Sequence, residues 1–338
     1  MQKQTYKVCK TGSIKNLKLT MEEIGNPSVN EITIKVEAIG LNFADIFAIL
    51  GLYSATPKGS FTPGLEFSGQ IVEVGENVKN FQCGDRVMGV TRFGGYSTFL
   101  NIDSRYVKKL PLSWSYEEGA GFITQALTAY YALFELGNLK KGQTVLIHSG
   151  AGGVGIYANR IAKKFGTVTI GTVGSLSKLS ILREEGYDFG IVRSKNFYSD
   201  LVHTLNEEAL HLVLECIGGH IFDDSYKALS PTGRMVVYGF ADFTPSTDRV
   251  NYLKLAYNYW KRPRVEPLNL VSDNKSVMGF NLIWLWDKFE LLSVLLEQLI
   301  ALNLAPQRIG KVFPFFEALQ ALEYFKSGKS VGKVVLKV

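Results

Sequence analysis

The feature that most constrains the fold of this chain is a glycine-rich run, "SGAGGVG", at residues 149–155. Its glycines Gly150, Gly152 and Gly155 fall at G-x-G-x-x-G spacing. The apolar residues directly before the run predict a strand, and the apolar residues after it recur every three or four positions, which predicts a helix. A strand that enters a helix through such a turn predicts a β-α-β unit and therefore a parallel sheet.

Each glycine has a physical reason in this context. We expect Gly150 to make the tight turn, Gly152 to let the backbone approach a ligand phosphate, and Gly155 to let the helix pack closely on the strand. The helix N-terminus adds unpaired N–H groups and a partial positive charge. Together these features favour a dinucleotide-binding turn over a glycine-rich connection that binds nothing.

The end of the next predicted strand distinguishes between cofactors. NAD-binding turns usually have an acidic residue about 20 positions after the glycines, which holds the ribose 2′-hydroxyl. Here Thr172, Gly174, Ser175 and Lys178 occupy this region, and the first acidic residue beyond them is Glu184. A hydroxyl and a cation suit a 2′-phosphate, so we predict NADPH. An alternative stays open, in which Ser175 caps the next helix and Lys178 is solvated.

The rest of the chain divides into two regions with different sequence patterns. Up to about residue 120, alternating strands punctuated by glycine and proline predict a β-rich region. From about 125, continuous apolar strands alternate with amphipathic helices, which predicts a doubly wound parallel sheet. The polar stretch 241–275 predicts a long loop with a helix in it, 275–283 one more strand, and 287–303 a helix.

Composition excludes several classes of protein. The chain has 338 residues and a formal net charge of +6, and its most apolar region, 278–304, is interrupted by charges, so we expect no membrane insertion. The first residues lack the apolar core of a signal peptide. Three widely spaced cysteines suit a reducing cytoplasm. The basic cluster Lys261–Arg264 predicts a solvated loop and no nucleic-acid partner.

Several motifs carry a resemblance to a known family. Residues 63–87, "PGLEFSGQIVEVGENVKNFQCGDRV", are the most specific, and "LTAYYAL", the glycine run and the closing "GKVVL" add to them. From about residue 5 to its end the chain resembles medium-chain dehydrogenases/reductases, in the zinc-free quinone oxidoreductase branch that includes zeta-crystallin. Within this branch "NKSVMGFNLIWLW", at 274–286, is similar to the VAT-1 type.

The resemblance implies a fold with two domains. We expect an α/β protein in which a GroES-like, β-rich catalytic domain (1–125) is completed by residues 284–338. A Rossmann NADP(H)-binding domain with a doubly wound parallel sheet (126–283) is inserted, and a cleft separates the two. The resemblance also implies a homodimer. We expect the Rossmann sheet to end at an unpaired apolar edge near 275–283, where a second copy would cover it.

The resemblance further implies a set of cofactor-binding residues spread over the Rossmann domain. These are Thr128 near the nicotinamide, Gly152, Gly153 and Val154 at the pyrophosphate, Gly174, Ser175 and Lys178 at the adenosine phosphate, Gly239 and Phe240 at the nicotinamide ribose, and Phe280 and Leu282 at the carboxamide. Family members often have a tyrosine after the following strand. This chain has Arg193, Ser194 and Lys195 instead, which adds positive charge near a 2′-phosphate.

The positions at which the chain differs from the zinc enzymes of the family bear on metal binding. Where those enzymes have a cysteine and a histidine as zinc ligands, this chain has Asn42 in "GLNFAD" and Leu65 in "GLE". Neither side chain is a ligand that zinc prefers. The cysteine-rich structural lobe is missing, and the four histidines stand at no ligand spacing. We therefore expect no metal site.

These residues predict a reductase that needs no metal. Without a Lewis acid the substrate must already be electron-poor, as quinones and α,β-unsaturated carbonyls are, and hydride transfer from NADPH would reduce it. We expect Asn42 to orient cofactor or substrate and Tyr53 to contact substrate or supply a proton, with solvent as the other proton source. Asp45 is expected to be a helix-start acid. We expect Cys9 and Cys216 on buried strands, which would leave no covalent nucleophile.

Two other functions remain open at this point. One is an NADPH-binding protein of the VAT-1 or crystallin type that has little or no turnover. The other is a free-standing enoyl reductase. The sequence does not distinguish these alternatives from a quinone reductase, because all three need the same nucleotide-binding turn.

Overall fold

The structure, a computed structural model, describes residues 1–245, 248 and 250–338. It divides the chain into two compact units. The first unit comprises Met1–Thr124, Pro245–Val250 and Ala305–Val338, and the second comprises Gln125–Thr244 and Asn251–Leu304.

The N-terminal part of the first unit consists mainly of strands. These are β1 (Gln2–Val8), β2 (Leu17–Glu23), β3 (Glu31–Gly40), β4 (Glu66–Val74), β5 (Arg86–Val90), β6 (Phe99–Asp103) and β7 (Val107–Lys109). Two short helices lie between or after them, α1 (Phe43–Ile49) and α2 (Tyr116–Gly119). Alternating apolar positions in β3 and β4 give these strands a buried face, as their sequence pattern predicts.

Helix α3 (Ile123–Tyr130) leads into the second unit and continues as a π-helical turn, Tyr131–Leu136. Strands and helices then alternate: β8 (Thr144–Ile147), α4 (Gly153–Lys164), β9 (Val168–Val173), α5 (Leu179–Glu184), β10 (Phe189–Val192), α6 (Phe197–Leu205), β11 (Leu212–Glu215), α7 (Gly219–Ala228) and β12 (Arg234–Val237). The unit ends with α8 (Tyr252–Trp260), α9 (Pro267–Asp273), β13 (Ser276–Gly279) and α10 (Phe289–Ala301).

The chain then returns to the first unit through β14 (Ile309–Pro314), α11 (Ala318–Lys326) and β15 (Lys333–Lys337). Strand β15 pairs antiparallel with β3, with Val335 opposite Gly40, so the end of the chain completes the sheet begun near its start. The resulting order is β14-β15-β3-β4-β5-β7, and β6 also pairs with β3. A core of buried aliphatic and aromatic side chains fills this unit.

The sheet of the second unit is parallel, in the order β10-β9-β8-β11-β12-β13. The chain begins in the middle at β8, moves outward to β10, and then returns to build the other half from β11 to β13. Such a sheet binds ligands beyond the carboxyl ends of its strands, where the strand order reverses. The prediction of a β-rich GroES-like domain and a doubly wound Rossmann sheet is confirmed.

The structure differs from the sequence-based expectations in two segments. Residues 241–275 contain the two helices α8 and α9 rather than one, while Ser246, Thr247 and Arg249 of this stretch lie outside the described residues. Residues 284–304, which we expected to complete the GroES-like domain, lie in the second unit. Helix α10 is connected to α3 by a hydrogen bond, which the Tyr130 hydroxyl donates to Gln298 Oε1 at 3.0 Å.

A glycine at the end of β3 provides a test of the first unit's packing. A Cβ at Gly40 would overlap the Ala120 carbonyl oxygen and lie 2.7 Å from Lys333 Cε. We expect Gly40→Ala to lower the free energy of unfolding by about 1–3 kcal/mol, because the backbone around it has no room to move. Chemical denaturation followed by circular dichroism measures this change.

The matched control is Gly25→Ala, because a Cβ at Gly25 has no heavy atom within 4 Å. We expect that change to stay within about 0.5 kcal/mol of the natural chain. Equal stabilities of the two variants would contradict the packing described for Gly40.

Candidate functional site

The turn from β8 to α4 forms the centre of the candidate site in the second unit. Gly150 lies inside this turn, which is closed by the bond from Gly152 N to Ser149 O at 2.8 Å, but the residue with the left-handed backbone is Ser149, with φ 52°. Gly150 N donates to Thr172 O at 2.9 Å, which ties the turn to β9. Helix α4 begins at Gly153 and its N-cap residue Gly152 has no side chain, so backbone amides line this end of the helix.

Close packing explains why positions 155 and 150 are glycine. A Cβ at Gly155 would overlap the Ser149 carbonyl oxygen and lie 2.7 Å from Gly150 Cα, as expected for a close approach of α4 to the turn. A Cβ at Gly150 would lie 2.8 Å from Leu182 Cδ2. The Tyr187 hydroxyl donates to the carbonyl oxygens of Gly155, at 2.7 Å, and Gly150, at 3.3 Å. The turn is therefore held from both sides.

The end of β9 presents positive charge to the same face. Ser175 stands at the N-cap position of the short helix Leu176–Lys178, but its hydroxyl lies 3.0 Å from the Ser177 hydroxyl and accepts no hydrogen bond from the helix backbone. Arg193 Nη2 lies 3.2 Å from the position of a Cβ at Gly174. Burial, and then the charge of Arg193, lower the pKa of Lys178. Arg193 thus approaches the exposed Gly174, and its charge also acts on Lys178.

Of the three residues expected to add charge here, Arg193 is the one that reaches the turn. Its backbone N–H donates to Val173 O at 2.9 Å, and its Nη1 donates to Thr172 Oγ1 at 2.9 Å. Ser194 instead bonds Asp200 Oδ2 at 3.2 Å, and Lys195 is exposed.

The remaining expected cofactor residues lie in the same unit. Gly239 and Phe240 follow β12, and Phe280 follows β13, so all three stand at the carboxyl edge of neighbouring parallel strands. The Phe280 ring lies 4.8 Å from the Tyr131 ring. Thr128 is half-buried on α3.

The other expected cofactor residues lie in or at the start of helices of the second unit. Leu282 is half-buried, in the short helix Leu282–Leu285, and Gly152, Gly153 and Val154 are half-buried at the start of α4. Contact of these residues with a cofactor stays a prediction.

The first unit contains a buried polar cluster that sequence reasoning identified only in part. Lys333 Nζ forms an ion pair with Glu66 Oε1 and donates to Asn42 Oδ1 at 3.2 Å. Asn42 Nδ2 donates to Glu66 Oε1 at 2.9 Å and to Gly40 O at 3.2 Å. The three side chains are almost wholly inaccessible to solvent.

Asn42 and Asp45 also fix the start of α1. Asn42 N donates to Asp45 Oδ2 at 2.8 Å, and the Asn42 side chain accepts from the backbone of Asp45, which together form a capping box. Asp45 is therefore the helix-start acid that we expected. Both ends of the Asn42 amide are engaged inside this cluster, so its contact with substrate or cofactor stays a prediction.

Burial changes the acidity of this cluster. It raises the pKa of Asp45 to about 7, although the Tyr96 hydroxyl donates to Asp45 Oδ2 at 3.2 Å. Within the described chain Asp45 Oδ1 is buried without a hydrogen-bond partner. Burial also raises the pKa of Tyr96 well above its usual value, so this phenol stays protonated.

Tyr53, the second expected catalytic residue, lies just after α1. Its backbone N–H donates to Phe47 O at 3.2 Å, and its half-buried side chain packs against the core of the first unit. No role of Tyr53 follows from these contacts, so its role stays a prediction.

The cysteines are placed differently from our expectation. Cys9 is exposed, because β1 ends at Val8, and Cys216 is half-buried directly after β11. The expectation that both lie on buried strands is therefore wrong.

Leu65 is buried, and it stands with Asn42 where the family's zinc enzymes have ligands. In the part of the chain that the structure describes, no three His, Cys, Asp or Glu side chains are grouped as a metal site requires. The same part contains no helix that is both long and apolar enough to span a bilayer.

The fold and the glycine turn at the start of α4 together define a dehydrogenase-type protein, and comparisons with known proteins agree. A model described as "Alcohol dehydrogenase GroES-like domain" matches residues 28–112, and one described as "Zinc-binding dehydrogenase" matches 153–290. The chain is 34% identical over 314 residues to the synaptic vesicle membrane protein VAT-1 homolog of Rattus norvegicus, covering 92% of this chain and 77% of that protein.

Solved structures are similar over nearly the whole chain. A CurK enoyl reductase is 30% identical with a TM-score of 0.83, covering 100% of this chain and 99% of the other. The quinone oxidoreductase of Escherichia coli complexed with NADPH is 26% identical with a TM-score of 0.83, covering 99% and 100%. The chain belongs to the medium-chain dehydrogenase/reductase family of oxidoreductases, in its VAT-1 type, which confirms the resemblance seen in the sequence.

The raised pKa of Asp45 predicts a pH-dependent stability. The folded protein keeps a proton on Asp45 up to about pH 7, whereas the unfolded chain loses it near pH 4. Between these values the unfolded state binds fewer protons, so this group makes the folded state less stable as pH rises. We expect Asp45→Asn to gain stability relative to the natural chain between pH 5 and pH 8.

Thermal midpoints of both proteins at the two pH values measure the effect. Asp85→Asn is the control, because Asp85 is bonded to Lys109 and its pKa is lowered, so it is ionised throughout this range. A stability difference between Asp45→Asn and the natural chain that does not vary with pH would contradict the account.

Proposed function

We propose that this protein is an NADPH-dependent, zinc-independent oxidoreductase that transfers hydride to quinones or α,β-unsaturated carbonyls. The observation that carries the proposal is the approach of Arg193 to Gly174, with Lys178 within reach of the same charge, in the unit that contains the glycine turn at the N-terminus of α4. Cations at this position suit a ribose 2′-phosphate, and an acidic residue would suit a 2′-hydroxyl.

The residues of the second unit fit such a cofactor. The amides at the start of α4 would hold the pyrophosphate, and Gly155 keeps the helix close enough to the turn for them to reach it. Gly174, Ser175, Lys178 and Arg193 would hold the adenosine phosphate. Thr128, Gly239, Phe240, Phe280 and Leu282 would surround the nicotinamide end. When bound, the nicotinamide supplies hydride, and the chain supplies its position and orientation.

The residues of the first unit limit the substrate. Asn42 and Leu65 stand where the family's zinc enzymes have a thiolate and an imidazole, so we propose a substrate that needs no metal to polarise it. The similar structures of a quinone oxidoreductase with NADPH and of an enoyl reductase support this class.

Within the first unit we assign two residues to the reaction. Tyr53 would contact the substrate or donate a proton to its oxygen. Asn42 would orient substrate or cofactor, and Lys333 with Glu66 holds its amide in one orientation. An oriented amide stabilises developing charge at no cost in reorganisation.

One observation favours the alternative of an NADPH-binding protein with little turnover. The Asn42 amide donates to Glu66 and Gly40 and accepts from Lys333 and Asp45, so it uses its hydrogen bonds within the unit. If nothing displaces these bonds, Asn42 would not bind substrate. Rates with an electron-poor substrate separate the two functions.

We propose that the protein acts in the cytoplasm as a homodimer. Strand β13 is the last strand of the described parallel sheet, and its residues Ser276–Gly279 are exposed or half-buried. Pairing two such edges about a two-fold axis would cover both. The spaced cysteines Cys9, Cys83 and Cys216 are unpaired and suit a reducing compartment.

Lys178→Ala tests the cofactor assignment. A charge-assisted bond to phosphate contributes about 1.5–3 kcal/mol, so we expect NADPH to bind roughly 10- to 100-fold more weakly and NADH to be unaffected. Fluorescence titration with each cofactor measures this. Lys195→Ala is the control, because Lys195 is an exposed lysine that follows the same strand as Arg193, β10. Equal affinity of the natural chain for both cofactors would defeat the assignment.

Tyr53→Phe tests the reaction. We expect kcat/KM for a quinone and an enone to fall about tenfold or more if Tyr53 supplies a proton or a hydrogen bond. Tyr106→Phe, a half-buried tyrosine of the same unit, is the matched control and should change neither rate. Oxidation of a saturated alcohol as fast as reduction of the quinone would overturn the reaction assignment. Unchanged rates in Tyr53→Phe would remove that residue from it.

A further inference from the structure

A chain of buried polar side chains leads from the core of the second unit to Arg193. Arg193 Nη1 donates to Thr172 Oγ1 at 2.9 Å, and Thr172 Oγ1 lies 2.9 Å from His148 Nδ1. His148 Nε2 lies 2.9 Å from Ser225 Oγ. Thr172, His148 and Ser225 are fully buried, so water does not compete for these bonds.

The direction of each bond follows from the chemistry of the groups. A guanidinium only donates, so Thr172 Oγ1 accepts from Arg193. The proton of the Thr172 hydroxyl is then donated to His148 Nδ1. The Ser225 hydroxyl donates to Ile221 O at 2.7 Å, so it accepts from His148 Nε2–H. His148 is therefore neutral, with its proton on Nε2.

The surroundings of His148 keep it in this state. Burial, and then the charge of Arg193, lower the pKa of His148 well below its usual value. Glu215 Oε2 lies 3.1 Å from His148 Nε2 but makes no hydrogen bond within the described chain, so the Nε2–H is directed at Ser225. The other oxygen of Glu215 accepts from the amide of Gly218 at 2.7 Å, which anchors the carboxyl group.

Arg193 needs such an anchor. Its guanidinium lies beside Gly174 and near the ammonium of Lys178, and the two like charges repel. An arginine side chain also has many rotamers, and fixing them costs binding energy when a ligand must do it. The bond to Thr172 holds the guanidinium at the turn before any ligand arrives.

We propose that His148 and Thr172 are positioning residues that hold Arg193 at the Gly174 turn, and that this arrangement selects a nucleotide with a phosphate on its ribose 2′ position. The inference rests on the proposed NADPH-dependent function and assigns its cofactor selectivity to residues behind the binding face. His148 touches no ligand in this assignment. It acts through the orientation of Thr172, and Thr172 acts through Arg193.

The test compares the dissociation constants of NADPH and NADH, measured by cofactor fluorescence. Thr172→Val keeps the shape of the side chain and removes the hydroxyl, and His148→Leu removes the ring nitrogens. Each is expected to weaken NADPH binding about tenfold and NADH binding less than about twofold, because the lost bond acts on the phosphate contact. In an Arg193→Ala background, Thr172→Val should have no further effect on NADPH.

Two further variants separate positioning from a general loss of structure. Thr169→Val removes a hydroxyl from another fully buried threonine of β9, which bonds Asp188 instead, and should leave the NADPH-to-NADH ratio unchanged. His148→Asn places an acceptor near the position of Nδ1 and is expected to restore most of the selectivity lost in His148→Leu. NADH binding by each variant shows that its nucleotide face is intact.

The outcomes distinguish the inference from the function on which it rests. The positioning role alone would be overturned if the natural chain prefers NADPH and both Thr172→Val and His148→Leu keep this preference within about twofold. A natural chain without a preference for NADPH would overturn the proposed cofactor and the positioning role with it. Loss of NADPH preference in both variants, its retention in Thr169→Val, and the absence of any effect in the Arg193→Ala background support the inference.

Discussion

The close approach of α4 to the turn after β8 is the contact on which the second unit depends. It exists because Gly155 has no side chain between the helix and the Ser149 carbonyl oxygen, and the Tyr187 hydroxyl bonds the carbonyl groups of both Gly150 in the turn and Gly155 in the helix. The backbone amides at the start of α4 therefore stand at the carboxyl ends of the strands, where the sheet order reverses. The proposed pyrophosphate contacts follow from this position.

The first unit depends on a different constraint, a buried charge that must be compensated. Lys333 has almost no access to solvent, and an unpaired ammonium there would be costly, so Glu66 and Asn42 surround it. The same ion pair joins β15 to β4 across Gly40 of β3. Burial raises the pKa of the neighbouring Asp45 to about 7, and the nearby charge of Lys333 acts in the opposite direction.

The sequence predicts those parts of the molecule whose signals are local. Strand β8, the glycine turn, α4 and β9 follow from apolar periodicity and glycine spacing, which depend on neighbouring residues. Lys333 and Glu66 lie 267 positions apart, and no periodicity relates them, so their pairing could not be predicted. The connection of His148 to Arg193 through Thr172 was missed for the same reason. The left-handed Ser149 was missed because glycine is the usual residue at such a position.

The central claim, direct transfer of hydride from NADPH to an electron-poor alkene, is tested most directly with NADPH that carries deuterium at both C4 positions of the nicotinamide. The purified protein, the labelled cofactor and an enone would be incubated, and the reduced product analysed by mass spectrometry. The account predicts one deuterium in the product, on the carbon β to the carbonyl group. Product without deuterium, or a protein that binds NADPH and reduces no quinone or enone, would contradict it.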